Sequence, residues 1–143
     1  MKPWLLHPMA VHFPVALLFT GFAVHGAAWG RGDGDWTAPA SRWLLWLGTA
    51  GAWAALCLGL WAQRTAPHVP AAWEVLADHK TLAWWTCGTF SAASAAALLR
   101  GRRWTRVLVT ALWLAGLGLL ADTAWHGGRL VYDFNMGTAA SVE

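Results

Sequence analysis

Residues 43–62 read WLLWLGTAGAWAALCLGLWA, a run of twenty positions without a charged side chain. A helix needs about 20 mostly apolar residues to cross the hydrocarbon core of a bilayer. No water reaches the backbone in that core, so a spanning segment has to be a helix or a strand of a closed barrel. The length of this run and its lack of apolar–polar alternation predict a transmembrane helix.

Three further apolar segments extend this pattern over the whole chain. Residues 9–29, 80–99 and 105–126 join 43–62 as predicted spans, and residues 127–143 form a tail. Only 12% of the 143 residues are charged, whereas a soluble domain carries about a quarter. We therefore predict one all-α domain over residues 1–143, an integral membrane four-helix bundle in up-down-up-down order.

The basic residues predict how this bundle is oriented. Four spans place both termini on one side, and loops 31–42 and 100–106 on the other side hold six of the ten basic residues. Cytoplasmic loops are enriched in Arg and Lys, so the termini are expected on the outer, periplasmic side of a bacterial inner membrane. These loops explain the net charge of +3 without a nucleic-acid partner.

Histidines concentrate on the predicted outer side, which holds five of the six. His12, His79 and His126 each lie within about one turn of the end of a different span, so three helices carry them at a similar depth. Imidazoles from separate helices at one depth indicate a shared metal or haem site.

Charged residues flank these histidines. Asp122 precedes His126 by four residues and shares its helix face, and Asp78 directly precedes His79. A carboxylate inside a span is costly and usually faces a partner. Asp122 is therefore expected either to accept a hydrogen bond from a ligating imidazole or to pair with a basic residue, Lys80 or Arg129.

The N-terminal run HPMAVHFP, residues 7–14, carries two histidines and two prolines. Pro14 cannot donate to the Ala10 carbonyl, which predicts a kink there. His7 and His12 are five residues apart, about 140° around a helix, so they do not share a face. We favour His12 as a ligand because it lies deeper in the span.

Two motifs resemble those of a known family. The run HPMAVHFP matches an HPxxVHFP opening motif, and HGGRLVY, residues 126–132, contains a GGxLVY closing motif. The chain thus resembles a domain-of-unknown-function family of small four-span bacterial membrane proteins over nearly its whole length. The resemblance implies a haem-binding, cytochrome-like role for His7, His12, His79 and His126.

Helix spacing suggests which histidines would bind haem iron. Packed helices lie about 8–10 Å apart, so helices on the diagonal of a square bundle stand roughly 12–14 Å apart. A planar haem between two imidazoles fits that diagonal, which the first and third spans form. This favours His12 and His79 as axial ligands, with His126 as the alternative ligand and His7 near a propionate or a second cofactor.

Three functional hypotheses follow. The first is a membrane b-type cytochrome-like electron-transfer protein that holds one haem b between two histidines near the periplasmic face. It would pass electrons to a periplasmic cytochrome, a quinone or a larger membrane complex, and would not be an enzyme on its own. The second is a divalent Zn, Fe or Cu site formed by His12, His79, His126 and Asp122, with Asp78 and Arg129 nearby. The third is a cofactor-free accessory subunit of a larger membrane complex.

Overall fold

The computed structural model describes residues 2–31, 35–99 and 103–137. Within these ranges the chain is helical and contains no strand, which confirms the predicted all-α class. The α-helices are α1 (Leu6–Ala10), α2 (His12–Ala27), α3 (Thr37–Thr65), α4 (Trp73–Ala96) and α5 (Arg103–Tyr132). Short 3₁₀ turns occur at Pro3–Leu5, Ala28–Gly30 and Pro70–Ala72. Arg100 and Arg102 of the predicted cytoplasmic loop and residues 138–143 of the tail lie outside the described residues.

The first apolar segment is a helical rod interrupted at Val11. Helix α1 ends at Ala10 and α2 begins at His12. The cause is Pro14, which has no N–H to donate to the Ala10 carbonyl four residues earlier. The interruption lies in the turn where the proline predicts a kink.

Helix α4 begins before the span predicted at residues 80–99, and helix α5 ends after the span predicted at residues 105–126. Helix α4 begins at Trp73, directly after the turn that starts at Pro70, so residues 73–79 continue the predicted span without a break. The prediction that helix α5 stops before Gly127 is wrong, because α5 continues to Tyr132. Gly127 serves close packing here: a Cβ at this position would lie 3.2 Å from Cε1 of His79.

Beyond α5 the chain turns back on itself. Asn135 adopts the left-handed region with φ 54°, a conformation that asparagine tolerates better than most residues. The Met136 N–H then bonds to the Leu130 carbonyl (2.9 Å). Phe134 and Met136 pack against a buried cluster of Ala72, Val75 and Leu130, which includes the start of α4. The described part of the tail therefore covers the same end of the molecule as the start of α4.

Three helical segments are long and apolar enough to cross a membrane, by length and composition: Leu6–Ala27, Thr37–Thr65 and Arg103–Tyr132. Helix α4 is not one of them, so the third predicted span, residues 80–99, does not meet this criterion. Large apolar side chains face outward, among them Phe13, Trp85 and Trp125, which are 70%, 66% and 69% exposed. An outer surface of this kind suits lipid contact.

Helix packing is most extensive between α2 and α3 and between α4 and α5, and less so between α3 and α4 and between α2 and α5. Packed neighbours are antiparallel. On α3, Gly48 lies against Leu18 while Gly59, eleven residues later, lies against the earlier His7. The start of α1, the end of α3, the start of α4 and the end of α5 therefore lie at one end of the molecule.

A carboxylate stabilises the start of α3. Asp35 accepts hydrogen bonds from the backbone N–H of Thr37 (2.8 Å) and from its hydroxyl. Arg31 lies 3.8 Å from the same carboxylate. The hydrogen bonds from Thr37, and then the charge of Arg31, hold the pKa of the Asp35 carboxyl below its usual value. Asp35 thereby satisfies one of the backbone N–H groups that a helix start leaves without a partner.

Trp113 is the main contact between α5 and α2. Its side chain is 1% exposed, and its indole N–H donates to the Leu18 carbonyl (3.1 Å). Gly21 leaves room for the indole, because a Cβ there would lie 2.9 Å from Cζ2 of Trp113. One large side chain thus fills the space between two helices that otherwise contact each other little.

We expect Trp113→Ala to lower the free energy of unfolding in detergent by about 3–5 kcal/mol, because loss of the indole leaves a cavity between the two helices. The measurement is thermal unfolding followed by circular dichroism. The matched control is Trp85→Ala, which removes an indole that is 66% exposed and should change the melting temperature little. Equal stability of the two variants would contradict the packing role of Trp113.

Candidate cofactor site

A cavity of about 530 Å³ lies between the helices at the end where α1 and α4 begin. Most of its lining is apolar and comes from all five helices, with Pro14, Leu56 and Leu120 as examples. Imidazoles from two helices interrupt this apolar wall: His7 on α1 and His79 on α4. A mostly apolar cavity with a few convergent polar groups is typical of a cofactor or ligand site.

His7 is fixed in orientation by helix α3. Its Nδ1 lies 2.9 Å from the carbonyl oxygen of Ala55. A carbonyl only accepts hydrogen bonds, so Nδ1 carries the proton and donates. Gly59, one turn further along α3, makes room for the ring, because a Cβ there would lie 3.0 Å from Cε1 of His7. The carbonyl and the glycine together determine where this imidazole points.

His79 is held in the same way by helix α5. Its Nδ1 lies 2.9 Å from the carbonyl oxygen of Thr123 and donates to it. Gly127, one turn after Thr123, leaves space for the ring. Each of the two closely packed helix pairs, α1/α2 with α3 and α4 with α5, therefore contributes one imidazole with a carbonyl anchor and a glycine beside it.

The two imidazoles lie close together in the cavity wall. The ring centres of His7 and His79 are 6.2 Å apart and the ring planes make an angle of 78°. Among the described residues, Nε2 of neither ring has a hydrogen-bond partner. With Nδ1 protonated, a neutral imidazole has its lone pair on Nε2, which is the nitrogen that a metal binds. A histidine whose other ring nitrogen donates to a carbonyl is the usual form of a metal ligand.

His12 lies on the opposite face of the first segment. Its side chain is exposed, and among the described residues it is not part of the cavity lining. The reason is the separation of about 140° between His7 and His12 around the helix, which turns one inward and the other outward. The structure thus brings His79 together with His7, while His12, the other member of the predicted axial pair, does not line the cavity.

His126 and Asp122 pair with each other. The His126 Nδ1 lies 3.2 Å from the Asp122 carboxylate and 3.0 Å from the Asp122 carbonyl oxygen, as their shared helix face predicts. Neither residue lines the cavity described by the structure. Of the alternatives for Asp122, the structure shows the contact with an imidazole, that of His126, and among the described residues no ion pair with Lys80 or Arg129.

The other two flanking residues also point away from the cavity. Arg129 donates to Asp133 (3.1 Å), and the Asp78 side chain is exposed. Within residues 2–31, 35–99 and 103–137, no group of three or more His, Cys, Asp or Glu side chains comes close enough to hold a metal ion. The predicted cluster of His12, His79, His126 and Asp122 is therefore not assembled, because its members face different directions.

The residues that fix the imidazoles were not predicted from the sequence: Ala55, Gly59, Thr123 and Gly127. Both anchors act through the main chain, so residue type says nothing about them. The glycines do leave a signal, since each follows its anchoring residue by one helical turn on the helix packed beside the histidine. That signal becomes readable only when the helix pairing is known.

A family model described as "Predicted membrane protein (DUF2231)" matches residues 4–140. The match includes α1 to α5 and every residue of the cavity wall named above. No curated protein and no solved structure matches the sequence. With its apolar helices and this match over nearly its whole length, the chain belongs to the DUF2231 family of predicted membrane proteins.

Proposed function

We propose that this protein is a membrane b-type cytochrome-like electron-transfer protein that binds one haem b, with His7 and His79 as the axial ligands. The observation that carries the proposal is the separation of 6.2 Å between the two ring centres. Imidazole–metal bonds are about 2.0 Å long, so two rings on opposite sides of one metal ion have centres about 6.3 Å apart. The observed pair therefore has the spacing that one shared iron requires.

The surroundings of the pair support a flat, apolar guest. A cavity of about 530 Å³ lies within the range of about 300–1,000 Å³ for small-molecule and cofactor sites. Its walls contain Val15, Leu56, Leu60 and Leu120, and no Asp or Glu among the described residues. Such walls exclude water and favour a porphyrin ring.

The orientation in the membrane is part of the proposal. We infer an up-down-up-down bundle in a bacterial inner membrane, in which α4 spans together with the three more apolar segments. The Arg-rich loops would face the cytoplasm and both termini the periplasm. The site then lies near the outer face, within reach of a periplasmic cytochrome, a quinone or a larger membrane complex as electron partner.

Bound haem supplies one-electron chemistry, and the protein contributes binding, orientation and electrostatics. His7 and His79 would both hold the iron, which would leave no position open for a substrate. Their carbonyl partners fix the ring angles, and the apolar wall would exclude water. This arrangement favours an electron carrier over a stand-alone enzyme.

We expect the wild-type protein, purified in detergent and supplied with haemin, to show a Soret band that shifts on reduction with dithionite. A pyridine haemochrome assay should give one haem per chain. Because the ring planes are nearly perpendicular (78°), the ferric form should give a strongly anisotropic low-spin EPR signal. A protein that binds no haem under these conditions would exclude the cytochrome role and leave the accessory-subunit role.

A further inference from the structure

A second, smaller cavity adjoins the first at the outer end of the helices. It has a volume of about 240 Å³ and shares Gln63, Leu76, Lys80 and Met136 with the large cavity. Its own walls add His68 and Trp73. The small cavity is thus a polar extension of an apolar one.

Lys80 is the charged residue at the junction. Among the described residues, no Asp or Glu lines either cavity, and no carboxylate lies within ion-pair distance of Lys80. An ammonium group beside an apolar cavity without a counter-ion attracts an anionic group, because the surroundings screen its charge weakly. The charge at this rim therefore points to a guest with a negative end.

A buried donor without an acceptor supports the same conclusion. The indole N–H of Trp4 is buried and has no hydrogen-bond partner among the described residues. Trp4 lines the large cavity, and its Cδ1 lies 3.8 Å from a Cβ built on Gly137, the residue after Met136 at the junction. An unpaired buried donor is costly, so this N–H is expected to meet an acceptor from the guest.

We propose that this rim binds the carboxylates of the haem, with Lys80 as the main contact and Gln63 and the Trp4 N–H as further donors. The inference rests on the proposed function and adds to it the direction in which the cofactor lies. The apolar edge of the porphyrin would face the deeper wall near Leu120, and the carboxylates the outer end. Charge-assisted hydrogen bonds of this kind are among the stronger polar contacts in proteins.

The test compares haemin with its dimethyl ester, in which both carboxylates are blocked. Wild-type protein in detergent is titrated with each, and affinity is read from the Soret band and from quenching of tryptophan fluorescence. We expect wild type to bind haemin about 10-fold more tightly than the diester, as a charged hydrogen bond implies. Lys80→Met should lose most of this preference while it keeps the same six-coordinate spectrum, and Lys80→Arg should retain it.

The control is Arg64→Met, which removes a positive charge near the same end of the molecule. Arg64 is exposed and, in the part of the chain that the structure describes, lines neither cavity, so its loss should leave the preference unchanged. A wild-type complex with equal affinity for haemin and the diester, or a Lys80→Met variant that discriminates as wild type does, would overturn this inference alone. No complex with either compound would overturn the proposed function together with it.

Discussion

Replacing His7 or His79 by alanine is expected to abolish the Soret band of the protein or to weaken haem binding by roughly 100-fold or more. Loss of groups that merely orient a metal ligand costs about 10–100-fold in affinity, and a lost ligand should cost at least as much. Each ring is held by a carbonyl on a different helix, Ala55 for His7 and Thr123 for His79. Neither ring can therefore replace the other.

The matched controls are His12→Ala and His126→Ala. His12 lies on the same apolar segment as His7, and His126 lies on α5, the helix that anchors His79, but the described cavity wall contains neither residue. Haem affinity should stay within about two-fold of wild type in both variants, since neither changes a ligand or its anchor. The measurement is a haemin titration followed at the Soret band, with circular dichroism to show that each variant is folded.

This set of four variants also separates the two ligand assignments. If His12→Ala removed the Soret band and His7→Ala did not, the iron would lie between His12 and His79. This is the pair that the predicted depth of His12 in the membrane favours. That result would contradict the assignment made from the cavity.

The all-helical fold was predictable, because long apolar runs in a chain with so few charges indicate membrane-spanning helices. The ends of the helices were less predictable. Glycines after an apolar run usually mark a helix end, but α5 continues through Gly127 because the position is used to accommodate a side chain from α4. Sequence alone cannot distinguish a glycine that ends a helix from one that lets another residue approach.

The sequence predicts histidines on several helices at a similar depth, but it does not predict which side of each helix faces the cavity. His79, a predicted ligand, lines the cavity, while the choice between His7 and His12 depends on which face of the first segment turns inward. In a soluble helix the apolar stripe reveals that face. Here both faces are apolar, since one contacts the other helices and one is exposed, as Phe13 illustrates. The sequence therefore carries little information about how the first segment is rotated about its own axis.

The glycines beside the two imidazoles give a second large expected effect. We expect Gly59→Val and Gly127→Val each to weaken haem binding by more than about 10-fold, in the range found when ligand orientation is disturbed. A single Cβ would already lie 3.0 Å from the His7 ring and 3.2 Å from the His79 ring. The two methyl groups of valine need still more space, so the ring must turn away from its carbonyl anchor.

Gly88 on α4 and Gly118 on α5 supply the controls, because a Cβ at either position meets no atom within 4 Å. Gly88→Val and Gly118→Val should bind haemin as wild type does, and all four variants should keep the same helical content by circular dichroism. The EPR signal adds an independent measure, since a turned ring changes the angle of 78° between the imidazole planes. Wild-type affinity and an unchanged EPR signal in Gly127→Val would show that the ring of His79 does not depend on the space beside it, and that the iron ligands must be sought elsewhere.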